Sequence, residues 1–373
     1  MSSWFATTAS LGAMRAICPM SAFHEALLTN GVQGGFVVGT LASAVMALPD
    51  RIDLRKFFSL GAAIACAASL ATLLIEPASL LMPLFRFATG MAMAAVYPVG
   101  IKLAATWARG DLGWLVGLLV GALTLGSAIP HLVAVLGSWD WRLPMAAAGA
   151  GAGLAAVLIR FSAVGPNLQA LTTFRLGNVL EAWRNRPVRL ANLGYLGHMW
   201  ELYAMWAWLG TFLNASFHAR YGNAPPLAPE LATFFSIAIG AVGALVGGWA
   251  ADRYGRATIM MVALVISGSC AAGIGLLFGG PAWAVLLMSL VWGISIVADS
   301  GQFSASVAEL SAPGLVGTIL TAQTCAGFLL TMASIQLVPI TVERVGWRYG
   351  FAILAIGPAL GFLATARLRR RLG

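Results

Sequence analysis

His198 and Glu201 stand three residues apart inside LGYLGHMWELYAMWAWLGTFL, Leu193 to Leu213, a run otherwise apolar enough to cross a bilayer. At helical spacing they share a face, which Tyr195, Met205 and Trp208 extend. A carboxylate beside an imidazole can share a proton, the histidine titrating in the physiological range; the same pair could also hydrogen-bond one helix to another. A second set, Ser295, Asp299, Gln302, Ser306 and Glu309, steps by four, three, four and three and paints a polar stripe down one side of a helix. Asp299 lies deep enough in that run to line a cavity, and Glu309 lies near its cytoplasmic end, where it would only cap a gate. Arg86 shares a face with Thr89, Met93 and Tyr97, next to a Pro98 able to kink the helix. Arginine grips carboxylate-like groups bidentately, so Arg86 suits either an anionic ligand or a salt bridge to Glu201 or Asp299. Lys102, further along, reads as a side chain snorkelling to the interface, and His131, after Pro130, reads as a packing residue.

Each of these groups costs roughly 2.5–3.5 kcal/mol to place at the centre of a membrane, so such residues usually face protein or water. That they are in a membrane follows from composition. Of 373 residues, 60% are hydrophobic and only 9% charged, against about 25% charged in soluble domains. Apolar runs recur over 31–48, 57–76, 79–107, 112–137, 143–163, 191–213, 232–251, 257–278, 281–308, 314–340 and 348–366, each long enough to cross a hydrocarbon core of roughly 30 Å as a helix. A twelfth, from Ser3 to Met14, offers only about 18 Å before Arg15. The expected architecture is therefore all-α, with twelve transmembrane helices and a shortened first one, its beginning lost through a misassigned start or a truncation. Alternating ten-residue strands are absent, which argues against a barrel.

The net charge of +9 reports topology rather than nucleic acid. With residue 50 on the cytoplasmic side and alternating spans, sixteen Lys and Arg fall on that side and five on the other, with Arg86 inside a span; this positive-inside pattern places both termini in the cytoplasm, of a bacterial inner membrane. The longest polar interval divides the chain into a first bundle, 1–163, a linker, 164–190, in which Leu176–Arg184 could form an amphipathic helix, and a second bundle, 191–373. Small residues step by four along the second span (Gly31, Gly35, Gly39, Ser43), the fifth (Gly113, Gly117, Gly121) and the eighth (Gly240, Ala244, Gly248). They mark close helix approach, either ordinary packing or a seam between moving bundles. Cys18, Cys66, Cys270 and Cys325 have no paired spacing and read as small hydrophobes.

After the eighth span comes GGWAADRYGRATIM. Its Gly248-x3-Asp252-Arg253-x-Gly255-Arg256 resembles the cytoplasmic loop signature of the major facilitator superfamily of secondary transporters, departing from it at Ala257, where a second base is usual. Arg86 with Gly90 resembles the family's R-x3-G element of the fourth span. Gly117-x8-Gly126-x3-Pro130 is similar to its antiporter signature but lacks the glycine before the proline, so antiport is not inferred. The loop after the second span, with Asp50, Arg51, Asp53, Arg55 and Lys56, matches the latch only loosely.

The resemblance implies two six-helix bundles that rock about a central site lined by the seventh span. It also implies a latch in which the 248–256 loop closes on the fifth span near Gly113. The implied partners are a small-molecule substrate and protons, within a lipid bilayer, with a single chain as the working unit. No cofactor, metal or nucleic acid is expected. The residues read as pathway are Arg86, Tyr97, His198, Glu201, Tyr203, Asp299 and Gln302. Arg86 favours an organic or inorganic anion, whereas the aromatic supply at Tyr195, Trp200, Tyr203, Trp206 and Trp208 would suit a flat or amphipathic solute, including an exported drug or metabolite. A primary pump is disfavoured because G-x4-G-K-[ST] is missing. An intramembrane enzyme is disfavoured because HEAL at His24 has Leu28 where a second histidine belongs and no G-x-S-x-G elbow appears. A sensor or scaffold with an incomplete first span is the alternative outside transport.

Overall fold

A computed structural model describes residues 1–107, 112–136, 140–167, 179–312 and 314–372. Among them the regular structure is entirely helical. The long segments are α1 (Ser2–Ile17), α2 (Ala22–Val45), α3 (Leu54–Leu74), α4 (Leu81–Ala105), α5 (Leu112–Leu136), α6 (Arg142–Phe161), α7 (Arg186–Tyr221), α8 (Pro229–Tyr254), α9 (Arg256–Leu277), α10 (Ala282–Leu310), α11 (Val316–Val345) and α12 (Trp347–Arg371). Among the described residues nine of these, α3 to α6 and α8 to α12, are long and apolar enough to cross a membrane. At 16 residues α1 is short, as expected. Polar residues interrupt α2 and α7, Asn30 and Gln33 in one, His198 and Glu201 in the other.

Several boundaries differ from the hydropathy reading for local reasons. Helix α2 starts at Ala22 rather than near 31 because Ser21 Oγ caps it, accepting from His24 N at 3.2 Å. Helix α7 extends five residues earlier than expected, where Asn185 accepts from Val188 N, and runs on to Tyr221, where Gly222 turns the chain at φ +61°. Helix α4 breaks at 94–96, so Pro98 sits at the start of its second segment, where a missing N–H is harmless. Helix α8 breaks at Ile239 and α10 at Asp299. Of the expected linker helix, 176–178 lie outside the described residues and Glu181–Arg184 form a single turn.

The small-residue steps bring helices together within each half. A Cβ on Gly35 would stand 1.9 Å from Phe87 O, and one on Gly90 2.0 Å from Val32 O, so α2 and α4 touch backbone to backbone. The same holds for α8 and α10, where a Cβ on Gly293 would stand 1.7 Å from Ser236 O and one on Gly247 2.1 Å from Ala298 O. The step on α2 is thus a packing surface inside the first half, whereas on α8 a Cβ on Gly240 would stand 2.8 Å from Gly293 O of α10 and 3.1 Å from Thr124 Cγ2 of α5, so that step meets both halves. Gly121 faces the other half across Ala241 at ordinary contact distance, and a Cβ on Gly117 would meet nothing within 4 Å.

Loops 18–21 and 75–80 lie together, with His24 Nε2 3.0 Å from Pro77 O, and Arg15 and Glu230 border one cleft, so these loops and 222–228 mark one end of the molecule. The linker marks the other: Trp107 Nε1 donates to Ala163 O and Arg55 Nη1 to Ser162 O. Contacts between α1–α6 and α7–α12 run through α2 with α11, α5 with α8, and α1 with α7. At the end away from the linker Asn30 Nδ2 donates to Met332 O at 3.2 Å and Gln336 Oε1 at 3.1 Å.

Candidate functional site

Where α1, α2, α7 and α11 converge, aromatic rings fill the middle of the molecule. Trp4 lies 5.0 Å from Phe36, 5.2 Å from Phe328 and 5.9 Å from Tyr203, measured between ring centroids; Phe5 stacks on Tyr203 at 5.8 Å and meets Trp206 edge-on at 5.4 Å. Such contacts are worth about 0.5–1.5 kcal/mol each beyond the area they bury. Trp4 Nε1 donates to Gln33 Oε1 at 2.8 Å, while Gln33 Nε2 and Trp206 Nε1 are buried without partners.

Arg86 reaches this layer from α4. It is fully buried, and its Nη2 donates to the carbonyls of Ser3 and Trp4 at 2.6 and 2.7 Å. Its Nε and Nη1 have no partner, and among the described residues no carboxylate pairs with it. Of the two roles open to Arg86 from the sequence, the salt bridge to Glu201 or Asp299 is not formed here. Main-chain carbonyls supply partial negative charge but no counter-ion, and a buried charge left unpaired costs several kcal/mol. Tyr97, half-buried at the break in α4, packs against the central cluster.

The second polar group lies between α7, α9 and α10. His198 Nδ1 stands 2.9 Å from Asp299 Oδ1, an ion-pair distance without the alignment of a hydrogen bond. Its Nε2 lies 3.0 Å from Ser300 Oγ. The break in α10 produces this geometry by turning Asp299 and Ser300 onto the same imidazole. Glu201 does not join them. Its Oε1 accepts from Trp292 Nε1 at 2.6 Å and its Oε2 from Ser267 Oγ at 2.8 Å, so the two residues read as a pair on one helical face find different partners.

Further along α10 the stripe reaches the 248–256 loop. Gly255, at φ +88°, ends α8 in a backbone conformation that favours glycine. Arg256 then opens α9, its Nη1 donating to Gln302 Oε1 at 2.8 Å and its Nη2 pairing with Glu309 at 2.8 Å. Arg253 lies over the rings of Trp249 and Tyr254, and Gly248 is half-buried on α8. Asp252, expected to latch onto α5 near Gly113, is exposed and makes no hydrogen bond among the described residues. Lys102 Nζ donates to Pro49 O at 3.2 Å. No group of three or more His, Cys, Asp and Glu among the described residues is placed to hold a metal.

The structure thus brings together His198 with Asp299, Gln302 with Arg256, and Arg86 with the layer containing Tyr203, but leaves Glu201 with the C-terminal helices alone. Sequence reasoning missed Trp4, whose carbonyl Arg86 bonds, with Gln33, Phe36 and Phe328 packed on its ring, and Ser267 and Trp292 around Glu201. Gln33 carried a usable signal as an amide inside an apolar span; the aromatic and hydroxyl residues carried none, being ordinary in membrane helices.

Residues 2–335 match the sequence profile of the Major Facilitator Superfamily. No curated protein sequence matches the chain significantly. Among solved structures, a point variant of the nucleoside transporter NupG superposes with a TM-score of 0.71 at 14% identity, covering 98% of this chain and 96% of that one. A bacterial homologue of the human lysosomal transporter Spinster, inward-facing and unoccupied, gives 0.74 at 15% identity, covering 99% and 95%. The same homologue in an inward-facing, occupied conformation gives 0.73 at 14%, covering 99% and 94%. At these identities the likeness concerns the fold, and together with the profile match it shows that the chain belongs to the major facilitator superfamily, a family of membrane transporters rather than enzymes.

Proposed function

We propose that the chain is a secondary active transporter that moves a small anion by alternating access, driven by protons, with 1–163 and 191–373 as the two bodies and 164–190 as their cytoplasmic link in a bacterial inner membrane. The observation that carries the reading is Arg86, a buried guanidinium with two unpartnered nitrogens and no counter-ion among the described residues. An anionic solute would supply the missing charge and acceptors in the bidentate geometry arginine favours. Gln33 Nε2 and Trp206 Nε1 offer further donors in the same layer. Proton coupling rests on His198 and Asp299, whose attraction depends on the imidazole's charge. The pairing of Arg256 with Glu309 and Gln302, with Asp252 unengaged, supports a conformation in which the loop is not latched to α5.

Counterflow in proteoliposomes tests this. A panel of labelled organic and inorganic anions is offered to wild type and to Arg86→Gln and Asp299→Asn. Accumulation of at least one anion, reduced more than tenfold in Arg86→Gln, with loss of the response to a pH gradient in Asp299→Asn, supports the reading. Transport confined to neutral or cationic solutes, or anion counterflow indifferent to Arg86, overturns it.

A further inference from the structure

At the end away from the linker, α1, α5, α7 and α8 enclose a cleft of about 50 Å³ bordered by Arg15, His131, Thr211, Asn214, Glu230 and Thr233. His131 is 2% exposed and its Nε2 has no hydrogen-bond partner. Gly210 on α7 makes room for it: a Cβ there would stand 3.6 Å from His131 Cε1 and 3.4 Å from Thr233 Oγ1. The Thr233 hydroxyl is committed, donating to Pro229 O at 2.7 Å. The ring nitrogen is therefore an unfilled polar group in the wall of a small cavity, not the satisfied packing histidine its sequence context suggests.

The charges facing this cavity do not balance. From α1 comes Arg15, already ion-paired with the buried Glu25 of α2. From α8 comes Glu230, which has no ion-pair partner among the described residues and lies in the first turn of its helix, where the N-terminus favours negative charge. The residues α7 contributes, Thr211 and Asn214, are neutral. Arg142 of α6, the other helix packed on this part of α5, lies over Trp141 and borders a different cleft with Glu76. The walls thus carry one uncompensated negative charge beside one unpartnered imidazole, in a space that admits a water or two but no organic solute.

We propose that this cleft is a proton-binding site serving the side of the membrane opposite the linker. The proton adds to the free ring nitrogen of His131, and Glu230, directly or through cleft water, balances the imidazolium. Because His131 belongs to the first half and Glu230 to the second, the bound proton ties the two halves together at this end. This rests on the alternating-access reading above, but needs neither Arg86 nor an identified solute.

The test measures the distance between spin labels at Leu136, on the exposed end of α5, and Asn223, in the exposed loop before α8. Both are introduced as cysteines in a full-length chain whose four native cysteines are replaced by serine, in lipid nanodiscs without added solute. Wild type is expected to shift towards the shorter distance on acidification, and His131→Gln and Glu230→Gln are each expected to abolish the shift. Glu230 is half-buried at a helix start, so its variant reports even where a change at His131 disturbs packing. No pH-dependent shift in wild type, or a shift retained in either variant, overturns the proposal. Anion counterflow without a shift leaves the transport reading standing and removes this site alone; a shift without anion counterflow does the reverse.

Discussion

Asp299 reaches from α10 to within 2.9 Å of His198 on α7, while Glu201, one turn further along α7, turns to Trp292 and Ser267. Helix α7 therefore carries one member of an imidazole–carboxylate pair and, separately, a carboxylate used as a hydrogen-bond acceptor. Removing an acceptor leaves its buried donors stranded, at about 1–3 kcal/mol for each. Glu201→Ala strands both the Trp292 indole and the Ser267 hydroxyl. Glu201→Gln keeps a carbonyl for Trp292 and offers Ser267 an amide to accept from. Thermal unfolding in detergent is expected to show a large loss for Glu201→Ala and a small one for Glu201→Gln, and Glu201→Gln is expected to keep the pH response that Asp299→Asn loses. Equal losses of stability would mean that the carboxylate's charge, rather than its acceptor role, matters.

Arg86 is expected to behave in the opposite way. A buried charge without a counter-ion is a stability burden, and replacing buried ionic groups with apolar ones of similar volume is often stabilising by about 1–4 kcal/mol. Arg86→Met gives up two hydrogen bonds to the carbonyls of Ser3 and Trp4 but removes two unpartnered nitrogens. The solute-free variant is expected to melt at or above the wild-type temperature, and to lose all stabilisation by transported anions. A marked fall in melting temperature would show that the guanidinium holds α1 to α4 as structure.

These two residues also mark how far the sequence could be read. Ionisable groups stand out in apolar spans because each is costly there, so Arg86, His198, Glu201 and Asp299 were legible as residues with partners. Which partner each takes depends on the rotation of α10 against α7 and on the break at Asp299, which no proline announces and only the Ser300-Gly301 pair beside it hints at. His198 and Asp299 lie on different helices, 101 positions apart in the chain, so spacing along one helix could not assign them. The position of α1 was equally hidden, although its Trp4 and Phe5 fill the centre of the molecule.

Glycine steps were legible as close contacts, and their partners give them unequal weight. At Gly35 and Gly293 a methyl group would meet backbone oxygens of Phe87 and Ser236 at 1.9 and 1.7 Å, which forces two helices apart. Overpacking of this kind costs typically 1–3 kcal/mol or more. A Cβ on Gly301, in the second segment of α10, meets nothing within 4 Å, and alanine there is favoured by up to about 1 kcal/mol of helix propensity. Gly35→Ala and Gly293→Ala are expected to lower the melting temperature and Gly301→Ala to hold or raise it. Similar effects at all three positions would contradict the packing described.

The loop after α2 supplies a prediction in pH. Asp53 was read as part of a loose counterpart to the 248–256 latch, yet its Oδ1 accepts from Arg55 N and Lys56 N at 3.0 and 3.2 Å and caps α3, while the Arg55 guanidinium pairs with both its oxygens. The hydrogen bond from the Arg55 side chain is the main cause that holds the carboxyl down at about 2; burial opposes it, and the backbone N–H groups and the Arg55 charge add to the lowering. A group whose pKa falls on folding stabilises the folded state above its unfolded value, here 3.8, and loses that contribution as pH drops towards the folded value. Asp53→Asn keeps an oxygen for the cap but removes the charge. Its deficit in melting temperature is expected to be constant above about pH 5 and to vanish as pH falls towards 2. Asp53→Ala, which removes the cap as well, is expected to retain a deficit of about 0.5–2 kcal/mol even in acid. The charge contribution is modest because the pair is partly exposed and screened, so thermal scans at low ionic strength are the appropriate measurement. A deficit in Asp53→Asn that persisted unchanged at pH 2 would show that the carboxylate's charge plays no part in holding the start of α3.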